Sequence, residues 1–449
     1  MSGRRLAAAV AVVLRRRDRM CRVVACQAVG LVLVTTLGSA LGMAVAEPPT
    51  PPVVRSVADD CGPAWTTGWH AAVQPAPAGD LRGATLRMIV HPQVTGSEVR
   101  VHLSNAFGAT PLVIGTVSAA RSAGGAAVVP GTLRPVAFGG RKDVVIPAGG
   151  QAVSDPVGLV AEAGTPIAIS LFLPLVPATV AQHPNALQTS YLARGGDAAL
   201  ATAGAGFATA VGSWTVLAGL DVRVPRPVRA LVALGDSITD GIGSPADTNG
   251  RWSDALAARL NQTGGTAAMA VLNAGLSRNR LLTDAAAVDG DSPLTRYVRD
   301  VAGTGAVDVV LHIGTNDIAD SRTADQIVAG MVAFAERVRA DGKRVFLTTI
   351  TPSTTGAHGT PAAAATRDAV NAWVLQHGRE HADGVFDFAG AVADPAAPSR
   401  LAAPFDAGDG LHLSTAGYQA LANAVDVAAL SGSPCLADAS PVRLLVSGN

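Results

Sequence analysis

The chain is poor in lysine and cysteine and carries little charge. Lys142 and Lys343 are its only lysines. Arginine supplies the remaining cations, and 34 basic side chains balance 34 acidic ones. No broad basic face is available, which argues against a nucleic-acid partner. So little lysine beside so much alanine reads as coding bias, and alanine is therefore discounted as helix evidence. Charged residues are only 15% of the chain and hydrophobic ones 49%, which excludes global disorder and supplies a large core. With 449 residues there is room for two or three domains. No internal repeat stands out.

Charge is absent altogether from Val23 to Ala46, directly after seven arginines between Arg4 and Arg22. Ala44-Val-Ala46 then offers a small-x-small cleavage pattern, so residues 1–46 read as an export signal. The competing reading is an uncleaved membrane anchor, since about 20 apolar residues span a bilayer; membrane contact follows only in that case. Either Met1 or Met20 can be the start. Val23-Val-Ala-Cys26 resembles a lipobox, but the apolar run follows it instead of preceding it, which excludes lipidation. Two of the four cysteines lie in this leader. Cys61 and Cys435 remain, and in an exported protein an even pair reads as a disulfide; two buried free thiols are the alternative.

Residues 47–60 are a proline-rich linker. Over residues 61–225, short runs such as Leu86–Val90, Val99–Leu103, Val144–Ile146 and Ile167–Phe172 alternate with Gly, Pro, Asn and Ser, which predicts an all-β, sandwich-like domain. Over residues 226–432 the texture becomes α/β. Strands are predicted at Val228–Leu234, Ala270–Asn273, Val307–Ile313, Val345–Ile350 and Val385–Phe388. Helices are predicted at Ser253–Leu260 with Ser253 as cap, Ala324–Ala340, Arg367–Gly378 and Ala416–Leu430. This is a three-layer α/β/α domain on a parallel sheet. Residues 433–449 form a tail.

The run ending at Gly235 delivers Ser237 to a strand's carboxyl end, where ligands sit in open parallel sheets. The segment lacks the Gly-x-Ser-x-Gly elbow, because Thr239 stands where the second glycine belongs. Alone, Gly235-Asp-Ser237 is an ordinary turn. A serine nucleophile also needs a base, an orienter and donors for an oxyanion. Asp409-Gly-Leu-His412 offers the first two on one short loop. Asn273-Ala-Gly275 and Gly314-Thr-Asn-Asp317 follow two further strands and offer Gly275 and Asn316 as donors. Consecutive strand ends therefore bring one polar group each to a single sheet edge.

In these four ordered blocks the chain resembles the SGNH (GDSL-type) hydrolase superfamily, and around Val99-Arg-Val-His-Leu-Ser-Asn105 and His183-Pro-Asn-Ala its N-terminal region resembles the β-rich domain that precedes some secreted two-domain members. The hydrolase resemblance runs from about Val228 to Leu430. It implies a flavodoxin-like fold and ester hydrolysis through an acyl-serine. Ser237 would be the nucleophile, His412 the base and Asp409 its orienter. The N–H groups of Ser237 and Gly275 and the amide of Asn316 would form the oxyanion hole. No cofactor or metal is implied. The substrate would be a small or polymer-borne ester, a lipid ester or an acetylated carbohydrate. The other function class is an inactive surface- or carbohydrate-binding protein on the same fold.

Several residues are set aside. His377-Gly-Arg-Glu-His381 matches a zinc pattern but has no third ligand nearby. His312 reads as a packed strand histidine, Asp240 as a fallback orienter and Asp317 as a residue fixing the Asn316 turn. Trp65, Trp69 and Trp252 read as core. The stretch from Arg278 to Arg299, just after the expected oxyanion glycine and including Leu281, Leu282, Leu294 and Tyr297, is expected to form one wall of an acyl pocket.

Overall fold

The computed structural model describes residues 61–285 and 288–435. The leader, the linker and most of the tail lie outside these residues. From Ala64 to Val224 every described regular element is a β-strand. Ala64–His70, Leu217–Val224, Val99–Ser104 and Gln151–Val153 form one antiparallel sheet. A larger antiparallel sheet is built around Ala84–Val90 and Ile167–Leu173. The strand at Val99–Ser104 buries Val99, Val101 and Leu103 and leaves Arg100 and His102 partly open, the period of two that a one-sided sheet requires.

The second part holds five parallel strands: β1 (Arg229–Gly235), β2 (Met269–Gly275), β3 (Asp308–His312), β4 (Arg344–Thr348) and β5 (Gly384–Phe386). Their spatial order is β2-β1-β3-β4-β5, the flavodoxin-like order with its switch point beside β1. Along β1, Ala230, Val232 and Leu234 face one core while Leu231 and Ala233 face another. That alternation is the three-layer arrangement read from a single strand. The helices are α1 (Ser237–Asp240), α2 (Trp252–Thr263), α3 (Tyr297–Asp300), α4 (Thr315–Ala319), α5 (Ala324–Ala340), α6 (Pro361–His381), α7 (Phe388–Val392) and α8 (Thr415–Ala424).

Local chemistry moves some predicted boundaries. Ser253 lies inside α2 and does not cap it; its hydroxyl accepts from Asn273 Nδ2 at 2.9 Å. The segment predicted to extend β5 to Phe388 turns helical there, because Asp387 caps α7 by accepting from the Gly390 N–H at 2.9 Å. The helix expected to run to Leu430 stops at Ala424, and Asp426 caps a separate 3₁₀ turn at Val427–Ala429. Gly378, inside α6, faces Val385; a Cβ there would lie 2.8 Å from the valine methyl, so the glycine permits close helix–sheet packing.

The two parts are joined along the edge of the parallel sheet. Ala71, just past the first strand, bridges to Asn273 of β2. The core that covers one face of the parallel sheet continues into the β-rich part, taking in Trp69, Leu86 and Leu220. Cys61 and Cys435 form a disulfide, tying the first described residue to the segment after the last helix.

Candidate active site

In the parallel sheet Gly235 pairs with both Gly275 and His312. The carboxyl ends of β2, β1 and β3 therefore lie in one row. Gly235 is required by crowding: a Cβ would meet the His312 carbonyl at 2.2 Å and Thr239 Oγ1 at 2.4 Å. Two residues on, Ser237 starts α1 and is 5% exposed. Asp236 caps that helix by accepting from the Ile238 N–H at 3.0 Å.

Ser237 Oγ lies 3.0 Å from His412 Nε2. His412 Nδ1 lies 2.6 Å from Asp409 Oδ2. Asp409 Oδ1 accepts from the backbone N–H groups of Leu411 at 3.0 Å and His412 at 2.8 Å, closing the short loop around the carboxylate. Burial acts to raise the Asp409 carboxyl, but hydrogen bonds from the His412 side chain and these N–H groups outweigh it and leave its pKa below the ordinary value. Asp409 thus stays ionised beside the imidazole.

The donors around Ser237 differ from expectation at one place. The Gly275 N–H is donated to Asn273 Oδ1 at 2.8 Å, so this donor is already engaged. Gly275 is a glycine for another reason: a Cβ would stand 2.3 Å from the Asp240 nitrogen, against the backbone of α1. The chain then turns through Leu276 and Ser277 to Arg278, which adopts a left-handed φ of 66°. The Arg278 N–H has no hydrogen-bond partner among the described residues. The next residue, Asn279, accepts from Asn316 Nδ2 at 3.0 Å through its carbonyl. Asn316 has a second amide hydrogen to offer. Its Oδ1 faces His358 Nε2 at 3.3 Å, which fixes which end of the amide points where. Sequence reasoning missed Arg278 and His358. Glycine is the usual marker of a left-handed residue, and arginine hides that signal; nothing at His358 announces it.

The set-aside residues have other partners. Asp240 pairs with His183, not His412. Asp317 reaches beyond its own turn and accepts from the N–H groups of Leu281 at 2.8 Å and Leu282 at 3.0 Å. Leu281 is 2% exposed, and both leucines pack on Gly330 of α5, whose lack of a side chain admits them. Leu281 is a core residue, so the expectation that it lines an acyl pocket is corrected, while Leu282 is half-buried against that core. His312 is buried against Phe388 and bonded to Thr348, and burial pushes its pKa down to about 3. His377 lies exposed beside Glu380. Trp252 and Trp69 are buried edge-on to Phe388 and Trp214, while Trp65 carries the Arg100 guanidinium over its ring.

Below Ser237, Asp236 is fully buried. Burial first, then repulsion from Asp317 and Asp240, raises its carboxyl to about 7, although the Ile238 N–H opposes the rise. A carboxyl held protonated in the folded state but ionised when unfolded loses stability as pH rises from its ordinary range to about 7. The loss is on the order of a few kcal/mol, because each pKa unit is about 1.4 kcal/mol. Asp236→Asn retains a good helix cap without this titration. Its melting temperature relative to wild type should therefore be higher at pH 8 than at pH 5. Parallel melting curves for the two proteins across that range would rule out the assignment.

Residues 233–420 match the model of the GDSL-like lipase/acylhydrolase family. No curated protein matches the chain. Among solved structures, the lipase/acylhydrolase from Enterococcus faecalis is 22% identical, covers 44% of this chain and 93% of its own length, and has a TM-score of 0.35. A GDSL-like lipase from Bacteroides thetaiotaomicron VPI-5482 is 20% identical, with coverages of 45% and 90% and a TM-score of 0.34. A carbohydrate acetylesterase family member from Sinorhizobium meliloti is 19% identical, with coverages of 44% and 95% and a TM-score of 0.34.

Proposed function

We propose that the protein, whose residues 233–420 match the GDSL-like lipase/acylhydrolase family, is an exported serine esterase acting on carboxylic esters through an acyl-serine. The observation that carries this reading is the continuous relay from Ser237 Oγ to His412 Nε2 at 3.0 Å and from His412 Nδ1 to Asp409 at 2.6 Å. The spacing matches what a nucleophile–base–orienter chain needs. His412 Nε2 takes the Ser237 proton as Oγ bonds to the ester carbonyl carbon. The imidazolium then gives that proton to the departing alcohol oxygen as the C–O bond breaks. Water, deprotonated by His412 in the same way, attacks the acyl carbon; the imidazolium returns that proton to Ser237 Oγ as the acyl C–Oγ bond breaks and the acid leaves.

The tetrahedral oxyanion is held by the N–H groups of Ser237 and Arg278 and by the Asn316 amide. Arg278 takes the place expected of Gly275, whose N–H is spent on Asn273. The same reading places the protein outside the cell, where its single described disulfide is stable.

Asn316, the side-chain donor of the proposed hole, bonds to the Asn279 carbonyl and faces His358. Leu281 is turned into the core, Leu282 is half-buried against it and Leu294 is exposed. The loss of Leu281 from an apolar wall favours a short acyl group, as in an acetylated carbohydrate, over a long lipid chain. An ester panel from acetyl to long-chain p-nitrophenyl esters, with acetylated polysaccharide and phospholipid included, tests this. The acetyl esters should give the highest kcat/KM. A preference rising with chain length would reassign the substrate to lipid esters, and no hydrolysis of any member would remove the esterase reading.

A further inference from the structure

His183 ends the strand Thr179–His183 of the β-rich part, yet its ring is engaged by the α/β part. It is 2% exposed. Its Nδ1 lies 2.8 Å from the Ala72 carbonyl, which holds the ring in place. Its Nε2 lies 2.9 Å from Asp240 Oδ1 and 3.2 Å from the Asn185 carbonyl. Asp240 is fully buried. A buried carboxylate is tolerated only when its oxygens are hydrogen-bonded, so what this contact holds in place is the useful question.

The other oxygen of Asp240 answers it. Oδ2 accepts from the Ser277 N–H at 3.0 Å and from the Ser277 hydroxyl at 2.5 Å. Ser277 immediately precedes Arg278, the left-handed non-glycine residue with the unpartnered N–H. Such a conformation persists only where the surroundings hold it. Asp240 is also the last residue of α1, whose first residue is Ser237. One carboxylate therefore joins three things: the β-rich part, the nucleophile's helix and the loop that presents the Arg278 N–H. A second side chain braces the same point, since Arg251 Nε donates to the Asp240 carbonyl at 2.8 Å and its Nη2 to the Ala186 carbonyl.

Resting on the serine-esterase reading, we propose that His183 is a positioning residue for the oxyanion hole. Acting through Asp240 and Ser277, it fixes the Arg278 N–H at the height the tetrahedral oxyanion requires. The β-rich part thereby belongs to the catalytic apparatus without touching a reacting atom.

The test uses the full chain and p-nitrophenyl acetate. His183→Asn keeps a group near Nδ1 and loses the reach to Asp240, whereas His183→Gln places an amide donor where Nε2 stood. Ser277→Ala removes the hydroxyl contact at a half-buried loop position with little risk to folding. Loss of one hole donor costs roughly 10²–10³ in rate, so displacing one should lower kcat about tenfold or more. His183→Asn and Ser277→Ala should show that fall with KM within about twofold, because ground-state binding does not use the hole. His183→Gln should recover most of the wild-type kcat. The double variant should be no slower than the slower single one, since both break the same relay.

Wild-type kcat in Ser277→Ala, a loss carried by KM, equal kcat in the Asn and Gln variants, or multiplicative effects would each overturn the proposal. Ser277→Ala decides the matter even where a His183 variant fails to fold. Ser237→Ala, run alongside, separates the two readings. If it matches wild type, the serine mechanism falls. If it is inert while His183→Asn and Ser277→Ala are fully active, only the positioning role falls.

Discussion

Ser237→Ala should lower kcat/KM for a short-chain p-nitrophenyl ester by on the order of 10⁵–10⁶, the scale on which serine-hydrolase nucleophile deletions fall. That is about 7–8 kcal/mol of transition-state stabilisation. The change is confined to one atom. Ser237 is the first residue of α1, and its backbone carbonyl accepts from the N–H groups of Gly241 at 2.9 Å and Ile242 at 3.0 Å, neither of which needs the hydroxyl. Alanine suits a helix position, so the melting temperature should hold. The Ser237 N–H also survives, so the variant retains a hole and a binding surface. A residual rate above the uncatalysed reaction is therefore expected, with KM near wild type. Steady-state kinetics on the purified pair checks this. Equal rates would end the serine mechanism.

Asp409→Asn should cost roughly 10²–10⁴ in kcat. Asparagine can keep its Oδ1 on the Leu411 and His412 N–H groups, so the loop closes as before. Its amide hydrogens, however, then face His412 Nδ1, where the carboxylate stood at 2.6 Å. The ring answers by presenting a lone pair at Nδ1 and carrying its proton on Nε2. That is the nitrogen required to accept from Ser237, 3.0 Å away. The wrong tautomer, not a broken loop, causes the loss. The Asp409 side chain is 53% exposed, so water relieves part of the cost, and the upper end of the range belongs to more enclosed carboxylates. KM should change little. A variant within threefold of wild-type kcat would remove Asp409 as the orienter.

Elements with strong local signals were legible in the sequence. The apolar run before Gly235 is a strand because alternate residues face two cores, and its polar turn is then pinned to the sheet edge. Ala324–Ala340 was readable from its apolar spacing, and the structure adds a reciprocal capping box between Thr323 and Gln326 at its start. The position of Ser237 followed from the topology rule that polar residues after parallel strands share one edge, whereas His412 and Asp409 were marked by their Asp-x-x-His spacing and by the family resemblance.

What stayed hidden depends on contacts distant in sequence. Gly275 looked like a donor because it follows a strand at the same sheet edge and matches the family's glycine block; its backbone instead packs against Asp240, and its N–H turns to Asn273. Leu281 and Leu282 sit next to the site in sequence, yet two N–H bonds to Asp317 turn their side chains toward Gly330. His183 is separated from Asp240 by 57 residues and lies in the other part of the fold, so no local pattern could announce their pairing.

In the proposed mechanism Ser237, with His412 as its base, forms the covalent intermediate. This is tested most directly by treating the protein with a serine-reactive organophosphonate and mapping the adduct by peptide mass spectrometry. The account predicts one stoichiometric adduct, on the peptide containing Ser237, formed in wild type and lost in both Ser237→Ala and His412→Ala. Hydrolysis of esters by a protein that acquires no adduct, or an adduct on any other residue, would contradict it.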